Sequence, residues 1–127
     1  NNETGQIKVH NYWMVIDAGF LVAPRNVNAQ IEGNIIMGLS NALKERISIK
    51  EGTVDQSNFH DYQVMRIDEM PDIHVKALKN TKSPSGVGEL GLATTGAAVA
   101  NAVFAATGAR VRELPLTPDR VLAALRG

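Results

Sequence analysis

The sequence predicts an α+β fold: a small mixed or antiparallel sheet, two main helices packed on it, and a short C-terminal helix. Three observations predict it. Stretches such as Ile73, Val75 and Ala77 place apolar residues at every second position, the period of a half-buried strand. Val27, Ile31, Ile35, Leu39 and Leu43 recur every four residues and make one helix stripe. Several strand-like stretches are set up as hairpins and mixed with helices, which favours α+β over a doubly wound sheet.

In chain order, Asn2-Glu3-Thr4-Gly5 is a turn, and residues 6–16 read as a strand through Ile7, Val9, Tyr12 and Val15-Ile16. No strand precedes that turn, which points to a fragment starting inside a β-hairpin. The strand ends at Asp17-Ala18-Gly19. A helix is expected over residues 26–46, capped by Asn26 or Asn28. Gly33, Gly38, Ser40 and Ala42 make it thin, so a neighbour can approach closely.

Residues 47–56 read as a small hairpin around Glu51-Gly52, and residues 64–67 as a short strand. Pro71 breaks the chain before the Ile73 strand. Residues 80–91 form a glycine-rich loop. A second helix is expected from Ala93 or Thr94 to Thr107, with Gly108 just past its end. Residues 111–116 are extended, and Thr117-Pro118-Asp119 is a helix start whose buried face is Val121, Leu122 and Leu125.

A length of 127 residues suits a single domain over 1–127 with a modest core. Thirteen basic and thirteen acidic side chains cancel, so nothing draws the chain to nucleic acid or an anionic membrane. With no cysteine, it carries no disulfide, thiolate-held zinc or cysteine-ligated iron–sulfur cluster of its own. The uncharged run from Leu90 to Ala109 has the length of a membrane span, but it is mostly Ala, Gly and Thr and reads as a closely packed helix.

Among motifs, Gly86-Val87-Gly88-Glu89-Leu90-Gly91 matches the dinucleotide fingerprint G-x-G-x-x-G. Its context fails: Ser83-Pro84-Ser85 precedes it where a strand is required, and too little chain follows for the rest of a nucleotide-binding sheet. His10, His60 and His74 lack ligand spacing, so no metal ligands are assigned. His60-Asp61 has no nucleophile beside it and reads as a local hydrogen-bonding pair. By its residues alone, Glu89 is either a catalytic base on a close-approach loop or an ordinary loop carboxylate.

Taken together, Ile16-Asp17-Ala18-Gly19, Ala29-Gln30-Ile31-Glu32-Gly33, Ser57-Asn58-Phe59-His60-Asp61-Tyr62, Glu69-Met70-Pro71, Gly86-Val87-Gly88-Glu89 and the run from Ala100 to Gly108 fall in a familiar order. They resemble the C-terminal part of the large, molybdenum-binding subunit of the xanthine oxidase / aldehyde oxidase family, isoquinoline 1-oxidoreductase β-subunit type. The resemblance implies a molybdopterin-dependent hydroxylase of N-heterocycles or aldehydes that takes its oxygen from water. It carries Glu89 over as the general base and Gln30, Gly86, Val87 and Gly88 as cofactor-binding residues. A base of this kind must be ionised and within hydrogen-bond reach of its proton.

The same resemblance implies partners: the upstream part of the molybdenum subunit, an iron–sulfur subunit or domain, and a small-molecule substrate. Alone, the chain is expected to be inactive and to hold little or no molybdopterin. Compartment is left open between bacterial cytoplasm and periplasm. The sequence departs from the family after the glutamate, where Leu90-Gly91-Leu92 replaces a proline-containing run, and at Met37. A second expectation, of a different class, is a non-catalytic interaction module that self-associates through the strand at residues 6–16 or docks on an upstream domain.

Overall fold

The computed structural model describes all 127 residues. It is an α+β arrangement, as the sequence predicts. Strand β1 (Asn11–Ile16) leads through a loop into helix α1 (Pro24–Leu43). A hairpin of β2 (Ile49–Lys50) and β3 (Thr53–Val54) follows, then a 3-10 turn (Ile67–Glu69) and strand β4 (Asp72–Ala77). Helices α2 (Leu92–Thr107) and α3 (Pro118–Leu125) complete the chain.

The main sheet is a parallel pair, β1 with β4, running in register from Asn11 opposite Asp72 to Ile16 opposite Ala77. The antiparallel pair is the separate hairpin β2–β3. The partner of the first strand therefore comes from about sixty residues downstream and is not a hairpin neighbour. Side chains alternate across the pair. Tyr12, Met14, Ile16, Ile73, Val75 and Ala77 turn inward, while Trp13, Val15, His74 and Lys76 turn outward.

The expected stripe of α1 is the centre of the core. Ile31, Ile35 and Leu39 are fully buried, and Val27 and Leu43 pack at its edges. Burying side chains of this size stabilises by roughly 1.5–3 kcal/mol each. Tyr12 and Ile16 reach the stripe from the sheet, Val99 from α2, and Val111, Leu116 and Val121 from the C-terminal segment.

Four expectations are corrected. The strand over residues 6–16 forms its ladder only from Asn11; Ile7 and Val9 pack on the core without strand pairing. Helix α1 starts at Pro24, ahead of Asn26, because a proline in the first turn has its backbone angle preset and lacks an N–H that would go unpaired there. It ends at Leu43, short of residue 46. Residues 64–67 are not a strand, since their polar groups pair with side chains: Met65 N–H donates to Ser40 Oγ at 3.0 Å and Arg66 N–H to Glu69 Oε2 at 2.7 Å.

The turn signals read correctly elsewhere. Glu51 and Gly52 both have positive φ, 50° and 82°, as a tight two-residue hairpin turn requires. Gly108 ends α2 with φ 75°.

Candidate functional site

The glycine-rich loop between β4 and α2 is irregular, yet it is tied down along its length. Asp17, at the end of β1, begins the mooring: its carboxylate accepts both the Gly19 N–H at 3.1 Å and the Asn80 side-chain amide at 3.0 and 2.9 Å. These bonds, Gly19 foremost, hold the Asp17 carboxyl below its ordinary pKa. Phe20 N–H then donates to Lys82 C=O and Ser85 N–H to Ala18 C=O, each at 2.9 Å. Gly19 is required at this crossing, because a Cβ there would stand 2.3 Å from Ser83 O, at φ 74°.

Helix α1 holds the next stretch. Asn34 Nδ2 donates to Val87 C=O and Gln30 Nε2 donates to Gly88 C=O, both at 3.1 Å. The two side chains lie one helical turn apart and reach consecutive carbonyls where the loop bends. Gly91 then fits closely against α1, with Asn34 Cβ only 3.2 Å from where its own Cβ would be. Thr95 Oγ1 donates back to Gly91 C=O at 2.9 Å and fixes the entry to α2.

Between these anchors Glu89 is exposed, and its carboxylate neither accepts a hydrogen bond nor meets a cation within the chain. The amide N–H groups of Gly86, Val87, Gly88 and Glu89 likewise have no acceptor within the chain. A Cβ at Gly86 or Gly88 would meet nothing within 4 Å. A cavity of about 460 Å³ lies beside the loop, lined by Phe20, Val22, Val27, Gln30, Val87 and Gly88 among others. It brings together three of the five expected residues. Gly86 and Glu89 sit next to it in the chain but outside its lining.

Sequence reasoning missed Asn34. It is 4% exposed, a buried amide on the helix stripe, and its position four residues after Gln30 was the signal available. Asp17 and Asn80 were missed as a pair because 63 residues separate them.

Other motifs have local partners. Asp61 accepts the Asn58 N–H at 2.9 Å and the Ser57 N–H at 3.0 Å, which hold its carboxyl down to about 2. Tyr62 O–H donates to Glu45 at 2.6 Å, which raises the phenol's pKa. His74 stacks on Trp13 with ring centroids 5.3 Å apart and lies 3.0 Å from Asn11 Oδ1. No group of three or more His, Cys, Asp or Glu side chains is placed to hold a metal. No helix is long and apolar enough to cross a membrane.

Fold and site together define an α+β element whose long helix moors a glycine-rich, carboxylate-bearing loop. Residues 1–71 match the family model described as "Molybdopterin cofactor-binding domain", so the chain belongs to that family. It is 41% identical over 118 residues to the beta chain of isoquinoline 1-oxidoreductase of Brevundimonas diminuta, covering 93% of this chain and 15% of that protein. It is 41% identical over 128 residues to one of the subunits of nicotinate dehydrogenase of Pseudomonas putida, covering 100% of this chain and 11% of that protein.

Among solved structures, aldehyde oxidoreductase from Desulfovibrio gigas superimposes with a TM-score of 0.87 at 28% identity, over 99% of this chain and 14% of that one. The chain thus spans about an eighth of the length of these relatives. It is homologous to part of molybdenum-cofactor oxidoreductases.

Proposed function

We propose that the chain forms the carboxylate-bearing wall of the molybdopterin site of a molybdenum hydroxylase, with Glu89 as its general base. The observation carrying this reading is the mooring of residues 86–89: Gln30 and Asn34 fix the backbone, while the Glu89 carboxylate and four amide donors have no partner in the chain. The open positions beside Gly86 and Gly88 fit a large, acceptor-rich group laid against the backbone. Gly86, Val87 and Gly88 would hold it through their main chain, and Gln30 through the carbonyl oxygen that its bond to Gly88 leaves over.

When bound, the molybdenum cofactor supplies the redox centre for hydroxylating a carbon with water as oxygen source. Glu89 accepts a proton at its carboxylate during that reaction, a role open to a side chain that meets no cation within the chain. N-heterocycles and aldehydes are the substrate classes, in keeping with the names of the relatives. The chain works with the upstream part of a molybdenum subunit and with an iron–sulfur subunit or domain that receives the electrons. Alone it is inactive, because one loop and one helix cannot bury so large a ligand.

A second reading has its own observation. Trp13 is 70% exposed and Val15 61% exposed on the outer face of the main sheet, an apolar surface suited to association. In that reading the chain is an interaction module.

The test is molybdenum analysis with an isoquinoline, nicotinate and aldehyde oxidation assay, on the chain alone and after mixing with an upstream portion of a molybdenum subunit. Metal and turnover only in the mixture, with turnover lost in Glu89→Gln, are expected. Turnover unaffected by Glu89→Gln would remove Glu89 from the reaction. Neither metal nor turnover in the mixture, with stable self-association through the sheet, would favour the second reading.

A further inference from the structure

The two amide bonds from α1 grip consecutive peptide units: Asn34 holds the one joining Val87 to Gly88, and Gln30 the one joining Gly88 to Glu89. Both units are trans, since the sole cis peptide in the chain is Leu114–Pro115. In a planar trans peptide the C=O and N–H point in opposite directions. Drawing the Val87 and Gly88 carbonyls toward α1 therefore turns the N–H groups of Gly88 and Glu89 away from it, to the side where no atom of the chain accepts them.

The two grips are unequal. Gln30 is exposed and can exchange its bond for water, whereas Asn34 is 4% exposed and has little access to that substitute. A bond shielded from water is the stronger constraint. We infer that Asn34 is a positioning residue: its amide sets the orientation of the Val87–Gly88 peptide, and through it the direction of the Gly88 donor and the placement of Glu89. It lies outside the lining of the cavity beside the loop and acts through the loop. This deepens the reading above and rests on it for its consequence in catalysis, but the mechanical step concerns this chain alone.

The test substitutes Asn34→Leu, which keeps the side chain's shape and burial and removes the donor. Backbone ¹⁵N relaxation is then compared at Gly88 and Glu89 and, as controls, at Val99 and Val103. In the parent chain the loop amides are expected near the rigid limit, with order parameters of about 0.85, and in Asn34→Leu below about 0.6, while both controls stay unchanged. Loop amides equally ordered in both proteins would overturn the inference, as would a loosening shared by the controls.

Should the variant not fold, the parent chain decides: solvent exchange of the Asn34 side-chain NH₂ should be at least tenfold slower than that of Gln30, and equal rates would overturn the inference. In the enzyme reassembled with an upstream portion, Asn34→Leu should lower kcat at least tenfold with KM little changed. An unchanged kcat would overturn the positioning role. Absence of turnover in the parent assembly would instead count against the proposed function and leave the loop measurement to stand by itself.

Discussion

Gly38 of α1 and Thr95 of α2 meet so closely that a Cβ on residue 38 would lie 2.6 Å from Thr95 Oγ1 and 2.7 Å from its Cβ. Both residues are buried, and the Thr95 hydroxyl is committed to Gly91 C=O at the entry to α2. The two helices therefore set the loop's far end through the same contact that packs the core.

Gly38→Ala is accordingly expected to destabilise the fold by roughly 1–3 kcal/mol, the usual cost of forcing a methyl group into a closed contact. Gly33→Ala is the control on the same helix. Nothing lies within 4 Å of its added Cβ, so it should be neutral or stabilise by about 0.5–1 kcal/mol through helix propensity. Urea unfolding of both variants checks the pair, and equal midpoints would contradict the close helix packing.

Ile35 and Met37 make a second contrast. Ile35 has no exposed surface, and Ile35→Ala should cost about 2–5 kcal/mol. Met37 is 60% exposed, and Met37→Ala should change stability by less than about 0.5 kcal/mol. Thermal or urea unfolding distinguishes them. Met37 is also where the sequence departs from the family pattern, and its exposure places that departure on the surface, away from the core stripe.

What could be read from the sequence follows the range of each interaction. The α1 stripe, the Glu51-Gly52 turn and the Gly108 stop are local codes, and all three stand in the structure as read. The β1–β4 pairing is not local: nothing near Asn11 reveals that Asp72 lies opposite it. Residues 64–67 misled because a short apolar stretch cannot show that Ser40 and Glu69 side chains will take the backbone N–H groups a strand would use. In the candidate site, the motif and the resemblance pointed to the glycine-rich loop, and the structure places Gln30, Val87 and Gly88 of the five expected residues around one cavity. Asn34 was hidden because an amide on an apolar stripe has meaning only once the loop lies over it.

Asp61 provides a test in acid. The Asn58 and Ser57 amides hold its carboxyl at about 2, below the ordinary carboxylate range. A group depressed in the folded state lends its stabilisation above the unfolded value, about 4, and loses it as pH falls through the folded one. The turn from Ser57 to Tyr62 should therefore hold at pH 5 and loosen between about pH 4 and pH 2. A carbon-detected titration of Asp61, followed with the Ser57 and Asn58 amide shifts, checks this; a midpoint near 4 would show that the amides do not grip the carboxylate.

The Asp17–Asn80 contact makes the last prediction, because it anchors the near end of the glycine-rich loop by side chains alone. Asn80→Ala removes both side-chain bonds to Asp17, together with the bond that Lys82 N–H donates to Asn80 Oδ1 at 2.9 Å, and leaves the Gly19 N–H in place. Asp17 is exposed, so the global unfolding midpoint should move by less than about 0.5 kcal/mol. The local effect should be larger. Lys79 and Lys82 flank the contact, and the freed segment should be cut after them by trypsin several-fold faster than in the parent chain. The pH dependence has a definite sign: Asp17 titrates below its ordinary value, so the anchor is present at neutral pH and fails only as pH falls through that lowered value. In Asn80→Ala the Asn80 share of the lowering is lost and the Gly19 share stays, so Asp17 should titrate at a higher pH than in the parent chain. Cleavage rates that match the parent chain would mean that the backbone bonds of Phe20 and Ser85 hold the loop without help from this pair.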